Sequence, residues 1–417
     1  MKNRLQLASI GLAAVLAQSA YADISVGAAG ADLVFFGTLD GAIETVGATG
    51  NSGQGGGNIG MVEQGNRVRG VSNSSDFGLK GSRELGTTGL KGVFQFAYGM
   101  DGYATGASPT MKDAFLGLKG GFGELRFGQN SGAGKSFGGK VENNYGATSF
   151  AEGGVLYNQI GGTKTKGGDR AKNSFVYLSP SLLPTELGGL TINGLYSSFN
   201  NDNVATGITA SDVTLHSSQT DLWIDYAFGP LLLNASLMSL QDPQINGAKP
   251  GEKCTVSNSN FCLKPAGVPA AGVAYKDQVN MQKFAAAYRL PSNTRLHALI
   301  DNSSYEVSTA LLGSVKRERS TWEIGALQDF GAHHVWLQWG VNSNYKDNGV
   351  EAPNTSANYL NLGYSYDLSK EAIVRVYYAK VSNDSKVAYD FTTNPVSGSL
   401  NNGASPSGVG IGVRYRF

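Results

Sequence analysis

From residue 32 onward, apolar and polar side chains alternate in segments of about 8–12 residues. Leu33, Phe35, Gly37, Leu39, Gly41 and Ile43 form one set, and Val34, Phe36, Thr38, Asp40, Ala42 and Glu44 form the other. Only the second set carries charge. Leu222, Ile224, Tyr226 and Phe228 likewise oppose Asp221, Trp223 and Asp225, and Val335, Leu337, Trp339 and Val341 oppose Trp336, Gln338 and Asn342. The chain closes with Val409, Ile411, Val413, Tyr415 and Phe417 against Arg414 and Arg416. A period of two is that of a strand with one apolar and one wet face.

Sixteen such strands are predicted, near 32–46, 69–84, 90–98, 111–119, 124–130, 173–179, 190–199, 218–228, 231–240, 278–289, 294–303, 319–329, 334–343, 357–366, 372–382 and 407–417. Tight gaps follow even-numbered strands, at 85–89, 120–123, 229–230, 290–293, 330–333 and 367–371. Long gaps follow odd-numbered strands, such as 47–68, 131–172, 241–277 and 383–406. Short turns at one end and long loops at the other are the pattern of an outer-membrane barrel, with the turns periplasmic and the loops extracellular. An eleven-residue strand tilted near 45° spans roughly 25 Å, the height of the lipid band. A soluble β-sandwich also alternates, but it does not account for the turn and loop asymmetry. Closure also removes the exposed edges of the sheet. The fold class is therefore all-β, a 16-stranded antiparallel transmembrane β-barrel.

Composition supports this reading. Of 417 residues, 58 are Gly, 19 Tyr and 18 Phe, and only 16% are charged. Glycine follows no collagen period, and the aromatic content argues against a disordered chain. With 33 basic and 32 acidic residues there is no electrostatic footprint for nucleic acid. No long apolar run follows the N-terminus, which excludes a helical bundle.

The first 22 residues read as a secretory signal peptide. Lys2 and Arg4 precede an apolar core from Leu5 to Ala17, and Ala20-Tyr21-Ala22 is an A-x-A cleavage site. Residues 23–417 then form one barrel domain, since no composition shift divides them. Cys254 and Cys262 are the two cysteines, in a segment rich in Pro, Gly, Asn and Lys. In an oxidising compartment they are expected to form one local disulfide.

Several motifs are familiar. Phe77-Gly78-Leu79-Lys80-Gly81-Ser82-Arg83-Glu84-Leu85-Gly86 with Gly89-Leu90-Lys91-Gly92-Val93-Phe94-Gln95 resembles the second and third strands of general Gram-negative porins. The neisserial and beta-proteobacterial branch is the most similar. Ala114-Phe115-Leu116-Gly117-Leu118-Lys119-Gly120-Gly121-Phe122-Gly123 resembles that family's fourth strand and turn. Asn173-Ser174 with Tyr177 and Ser179-Pro180 resembles its sixth strand, and Val413-Arg414-Tyr415-Arg416-Phe417 its C-terminal signature. The resemblance implies a homotrimeric, cofactor-free channel for small hydrophilic solutes and ions, with the third loop folded into the lumen. It also implies Phe417 as an assembly signal, with outer-membrane lipids and the barrel-assembly machinery as partners.

A lysine or arginine facing lipid at mid-membrane costs roughly 2–4 kcal/mol, so strand charges should point inward. Alternation puts Asp40, Glu44, Asp76, Lys80, Lys91 and Arg126 on wet faces. Strand four is ambiguous: periodicity puts Asp113 inside, whereas the resemblance puts Lys112 there. Arg170 and Lys172 match basic residues that the family carries before strand six. The third gap brings Lys135, Lys140, Glu142, Glu152 and Asp169. Asp76, Gln129 and Val176 stand where the family often has Arg, which predicts weakened charge selectivity.

Gly134-Lys135-Ser136-Phe137-Gly138 satisfies the nucleophile-elbow pattern, but it lacks the strand-to-helix setting that chemistry needs. The same lysine is not preceded by a P-loop glycine, because position 129 is Gln129. Neither an enzymatic constellation nor a metal site is expected. The rival readings are a solute-specific channel with an aromatic track (Trp223, Trp336, Tyr177) and a surface adhesin acting through its loops.

Overall fold

The computed structural model describes residues 24–28, 31–49, 64–100, 108–141, 149–160, 163–164, 170–200, 216–241, 275–309, 313–396 and 400–417. The proposed leader and both cysteines lie outside the described residues.

The strands of the barrel wall are β1 (Ala31–Thr49), β2 (Gln64–Ser72, continued by Asp76–Glu84), β3 (Lys91–Gly99) and β4 (Thr110–Gly120). Then come β5 (Gly123–Ser131), β6 (Arg170–Leu178), β7 (Gly189–Asn200) and β8 (His216–Phe228). Next are β9 (Leu231–Gln241), β10 (Tyr275–Arg289), β11 (Thr294–Thr309) and β12 (Gly313–Phe330). The last four are β13 (His333–Asn342), β14 (Ala357–Asp367), β15 (Ala372–Asn383) and β16 (Ser405–Arg416). Each pairs antiparallel with its sequence neighbour, and β16 pairs with β1 from Thr38↔Arg416 to Thr49↔Ser405. The result is a closed barrel of 16 strands. A short strand, Ile24–Ala28, folds back on β1, a pairing that the alternation does not announce.

Side-chain alternation follows the sequence pattern. Leu222, Leu337, Ile411 and Val413 lie on the exposed outer face, whereas Asp221, Trp223, Trp336, Gln338 and Arg414 point inward and are buried. The wall is thus apolar outside and largely polar inside, as a membrane barrel requires.

Three departures from the sequence pattern have local causes. Between Ser72 and Asp76 one extra residue interrupts β2, so its two halves meet β1 in registers offset by one. Asn73 and Ser75 close the interruption on Asp40, whose carbonyl accepts from Asn73 N at 2.8 Å and whose N–H donates to Ser75 Oγ at 3.0 Å. On β4 the register shifts opposite β3 between Phe96 and Tyr98, which pair with Ala114 and Met111. Lys112 and Asp113 together therefore face Ala97 as a β-bulge. Finally, β11 and β12 run past the predicted 303 and 319 to a pairing at Thr309↔Gly313. Beyond the membrane band both faces are wet, so the hydropathy alternation fades while the ladder continues.

The third long connection folds inside the barrel. It carries α1 (Ala133–Val141) and α2 (Gly154–Tyr157), followed by a small Gln159–Ile160/Thr163–Lys164 hairpin. Phe137, Phe150, Ala151, Val155, Leu156 and Ile160 are all fully buried. They dock on inward apolar patches, with Phe137 and Val141 against Ala285, Ala287 and Leu299. Phe150, Ala151, Val155 and Leu156 pack among Trp336, Tyr359, Tyr377 and Ala379.

Candidate functional site: the barrel interior

The third loop lies against one side of the barrel and is held there by side chains from the wall. Fully buried Arg319 on β12 donates to the carbonyls of Leu156 and Gln159 and pairs with Asp301. Asn361 on β14 donates to Ala151 O at 2.5 Å and to Gln338 Oε1 at 2.6 Å, while its own Oδ1 accepts from Trp336 Nε1 at 2.9 Å. Trp336 packs against Gly363, where an added Cβ would sit 2.2 Å from the indole. At the loop's start, Asp221 accepts from Ala133 N at 2.8 Å, placing a carboxylate at the positive end of α1. Lys283 reaches Asn158 Oδ1 at 3.2 Å.

The last long connection also turns inward, over residues 384–396. Val387, Tyr389, Phe391 and Val396 are exposed by 1% or less and join the cluster around Phe150. The Phe391 ring stacks on Phe150 at 4.8 Å. Gln159 Nε2 donates to Asp390 O at 2.8 Å, and Glu152 accepts from the hydroxyls of Thr392 and Thr393.

These two loops pack on inward faces between β8 and β15, and a group of partly exposed charges lies along β2–β6. Asp301 and Arg319 on the covered side are 0% exposed at their side chains. On the open side, Asp76 and Lys112 are 23% and 16% exposed, and Asp113 and Arg170 are 24% and 23%. Lys112 Nζ lies 2.7 Å from Asp76 Oδ2, and Arg170 Nε lies 3.0 Å from Asp113 Oδ1. Ser131 Oγ adds a bond to Asp113 at 2.9 Å. Arg126 pairs with Glu124 at 2.6 Å and stands over the Phe115 ring at 4.3 Å. Lys80 stands 4.9 Å from the Phe36 ring centre. This strip alternates in sign, and most of its charges are matched by a neighbour.

The remaining sequence candidates fall elsewhere. Asp40 is buried between Arg375 and Arg414, at 2.5 and 2.7 Å. Lys91 pairs with Glu84 at 2.9 Å, at the rim next to the 85–90 turn. Lys172 is exposed in the β6 irregularity between Ala171 and Ser174. In the third loop, Lys135 is exposed on α1, and Glu152 meets the last loop rather than a wall base. The Lys140 side chain, Glu142 and Asp169 lie outside the described residues. Phe417 exchanges two backbone bonds with Gly37, at 2.7 and 3.0 Å, and its ring covers that glycine. Of the aromatic-track candidates, Trp223 and Trp336 are buried, and Tyr177 bonds Phe122 O at 2.7 Å next to the 121–122 turn.

Arg319 and Asn361 hold the third loop, and neither was among the residues singled out from the sequence. For the last connection one signal was available. Val387, Tyr389 and Phe391 are apolar at every second position inside a connection otherwise rich in Asn, Ser and Thr, which marks a segment needing burial.

A profile described as Gram-negative porin matches residues 8–386. The chain belongs to the Gram-negative porin family. Over 102 residues it is 35% identical to major outer membrane protein P.IB of Neisseria meningitidis serogroup B, covering 24% of this chain and 29% of that protein. It is 34% identical over 101 residues to P.IB of Neisseria gonorrhoeae, covering 24% and 27%. The matched stretch thus spans under a third of these relatives. The anion-selective porin from Comamonas acidovorans shares the fold with a TM-score of 0.66 at 19% identity, over 93% of this chain and 100% of that one. OmpT of Vibrio cholerae does so with a TM-score of 0.64 at 14% identity, over 94% and 100%. This porin is a multi-pass β-barrel of the bacterial outer membrane.

Proposed function

We propose that the protein is a water-filled channel through which small hydrophilic solutes and ions diffuse passively, with no chemical step and no cofactor. The observation carrying this reading is the lopsided interior. Two inward loops pack against one side of the wall, and a partly exposed charged strip remains along β2–β6. A barrel of this strand number is too wide for wall side chains to fill, so inward loops set its bore. A homotrimer fits the reading, because one trimeric form stands among the similar structures, that of Vibrio cholerae OmpT. The strip should discriminate weakly between ions, since Asp76 and Asp113 offset Lys112 and Arg170 at close range. Removal of residues 1–22 by signal peptidase belongs to the same proposal.

Liposome swelling with neutral sugars of graded size tests it. Uptake rates should fall smoothly with solute size and should not saturate. Saturation by one solute class would favour a solute-specific channel, and no uptake by correctly folded protein would refute the channel.

A further inference from the structure

We propose that Arg67 and Arg69 of β2 form a latch that keeps the last loop, at residues 384–396, inside the barrel, and that the latched loop sets the size of solute admitted. The inference rests on the channel reading and adds a determinant to it.

Three consecutive carbonyls of the loop are captured by two guanidinium groups. Arg69 donates to Asn394 O and, through Nη1 at 2.6 Å, to Pro395 O. Arg67 Nη2 donates to Val396 O at 2.5 Å. Two arginines satisfy carbonyls that would otherwise face the lumen from a turn, where Asn394 adopts a left-handed φ of 51°. The Asn394 side chain adds bonds to Asn73 Oδ1 at 2.8 Å and Ser72 O at 3.3 Å. Arg69 is aimed by Glu44, which accepts from its Nε at 3.0 Å and is itself fixed by Tyr377 OH at 2.9 Å. Glu44 is 0% exposed, so the guanidinium works from a rigid, charge-matched base.

The loop thereby runs from the β2 wall to the third loop, where Thr392, Thr393 and Phe391 meet Glu152 and Phe150. Below the loop, Asn383 closes the β15–β16 hairpin by donating from Nδ2 to Ala404 O at 2.7 Å and from N to Ser405 Oγ at 3.2 Å. No residue of 384–404 takes part in the ladders of β15 and β16, so the loop can leave the lumen, giving up the bonds between Tyr389 and Asn383, while the wall pairing stays intact.

The test compares wild type, Arg67→Gln/Arg69→Gln, a variant lacking residues 388–402, and the combination, each refolded and checked for heat-modifiable mobility on SDS gels. Single-channel conductance and sugar exclusion are then measured. The double substitution should raise conductance and admit sugars that wild type excludes. The shortened loop should do the same, and the arginine substitutions should add nothing on that background. A wide channel from the deletion but not from the arginine variant would overturn the latch. Unchanged conductance and exclusion in both would overturn the loop's part in sizing. Failure of the arginine variant to fold while the loop deletion folds would make these arginines wall residues and refute the latch. A folded wild type that conducts nothing would instead refute the channel reading itself.

Discussion

Lys112 on β4 reaches across β3 to Asp76 on β2, placing its Nζ 2.7 Å from Asp76 Oδ2. Two strand spacings separate β2 from β4, roughly 10 Å, which a lysine and an aspartate together can span. The path is open because Ala97 and Gly99 are small, and a Cβ on Gly99 would lie 3.1 Å from Lys112 Cε. The bulge aims Lys112 inward without turning Asp113 away, so Lys112 and Arg170 each have an acid beside them.

Removing one member of that pair should unmask the other. Asp76→Asn is expected to move the reversal potential under a KCl gradient toward anion preference, and Lys112→Met toward cation preference. Both should leave unitary conductance close to wild type, since neither loop is touched. Identical reversal potentials in all three proteins would mean that ions do not pass this strip.

The bulge leaves carbonyls without ladder partners, and Gln129 supplies them: its Nε2 donates to Met111 O and Lys112 O, both at 2.8 Å. Gln129→Leu should therefore cost about 1–3 kcal/mol of barrel stability, the range for polar groups left unsatisfied. The temperature at which the folded band converts on an SDS gel should drop. No drop would show that water or lipid headgroups serve the bulge equally well.

Gly363→Val should force Trp336 off the wall, because the indole occupies the space a Cβ needs. Overpacking of this kind costs typically 1–3 kcal/mol. It should also loosen Asn361 and with it the third loop at Ala151, so noisier open-channel current is expected with the same ion preference. Quiet current at wild-type stability would contradict the Trp336–Asn361–Ala151 linkage.

Arg319→Met strips the third loop of its contacts at Leu156 and Gln159 and leaves Asp301 buried without its base. Breaking a buried pair in this way costs roughly 3–5 kcal/mol. A lower unfolding temperature and a larger, fluctuating conductance are expected. Asp301→Asn combined with Arg319→Met should recover part of the stability but not the steady conductance. A steady wild-type conductance in Arg319→Met would show that the apolar contacts alone hold the loop.

The wall was legible in the sequence because lipid on one side and water on the other write a period of two into every strand. Val409, Ile411 and Val413 against Arg414 show it in its simplest form. The interior was legible only as a list of inward charges. Alternation put Asp113 inside and the resemblance put Lys112 there; the bulge breaks the period at that point, and both face in. The partners of those charges lie on other strands, as Asp76 does for Lys112 and Arg170 for Asp113. Pairing of that kind depends on register and on side-chain reach rather than on local pattern. The inward turn of 384–396 left a trace in Val387, Tyr389 and Phe391, but its anchors, Arg67 and Arg69, are more than 320 residues away in sequence.

The most direct test of the central claim is single-channel recording of the folded protein, freed of residues 1–22, in a planar bilayer under a KCl gradient. Stepwise conductance increments, grouped in threes, with a reversal potential near zero are expected of a trimeric porin whose wall charges are paired. A folded barrel that inserts repeatedly and gives no steps would contradict the account, and a strongly anion-selective or cation-selective potential would contradict its description of the wall.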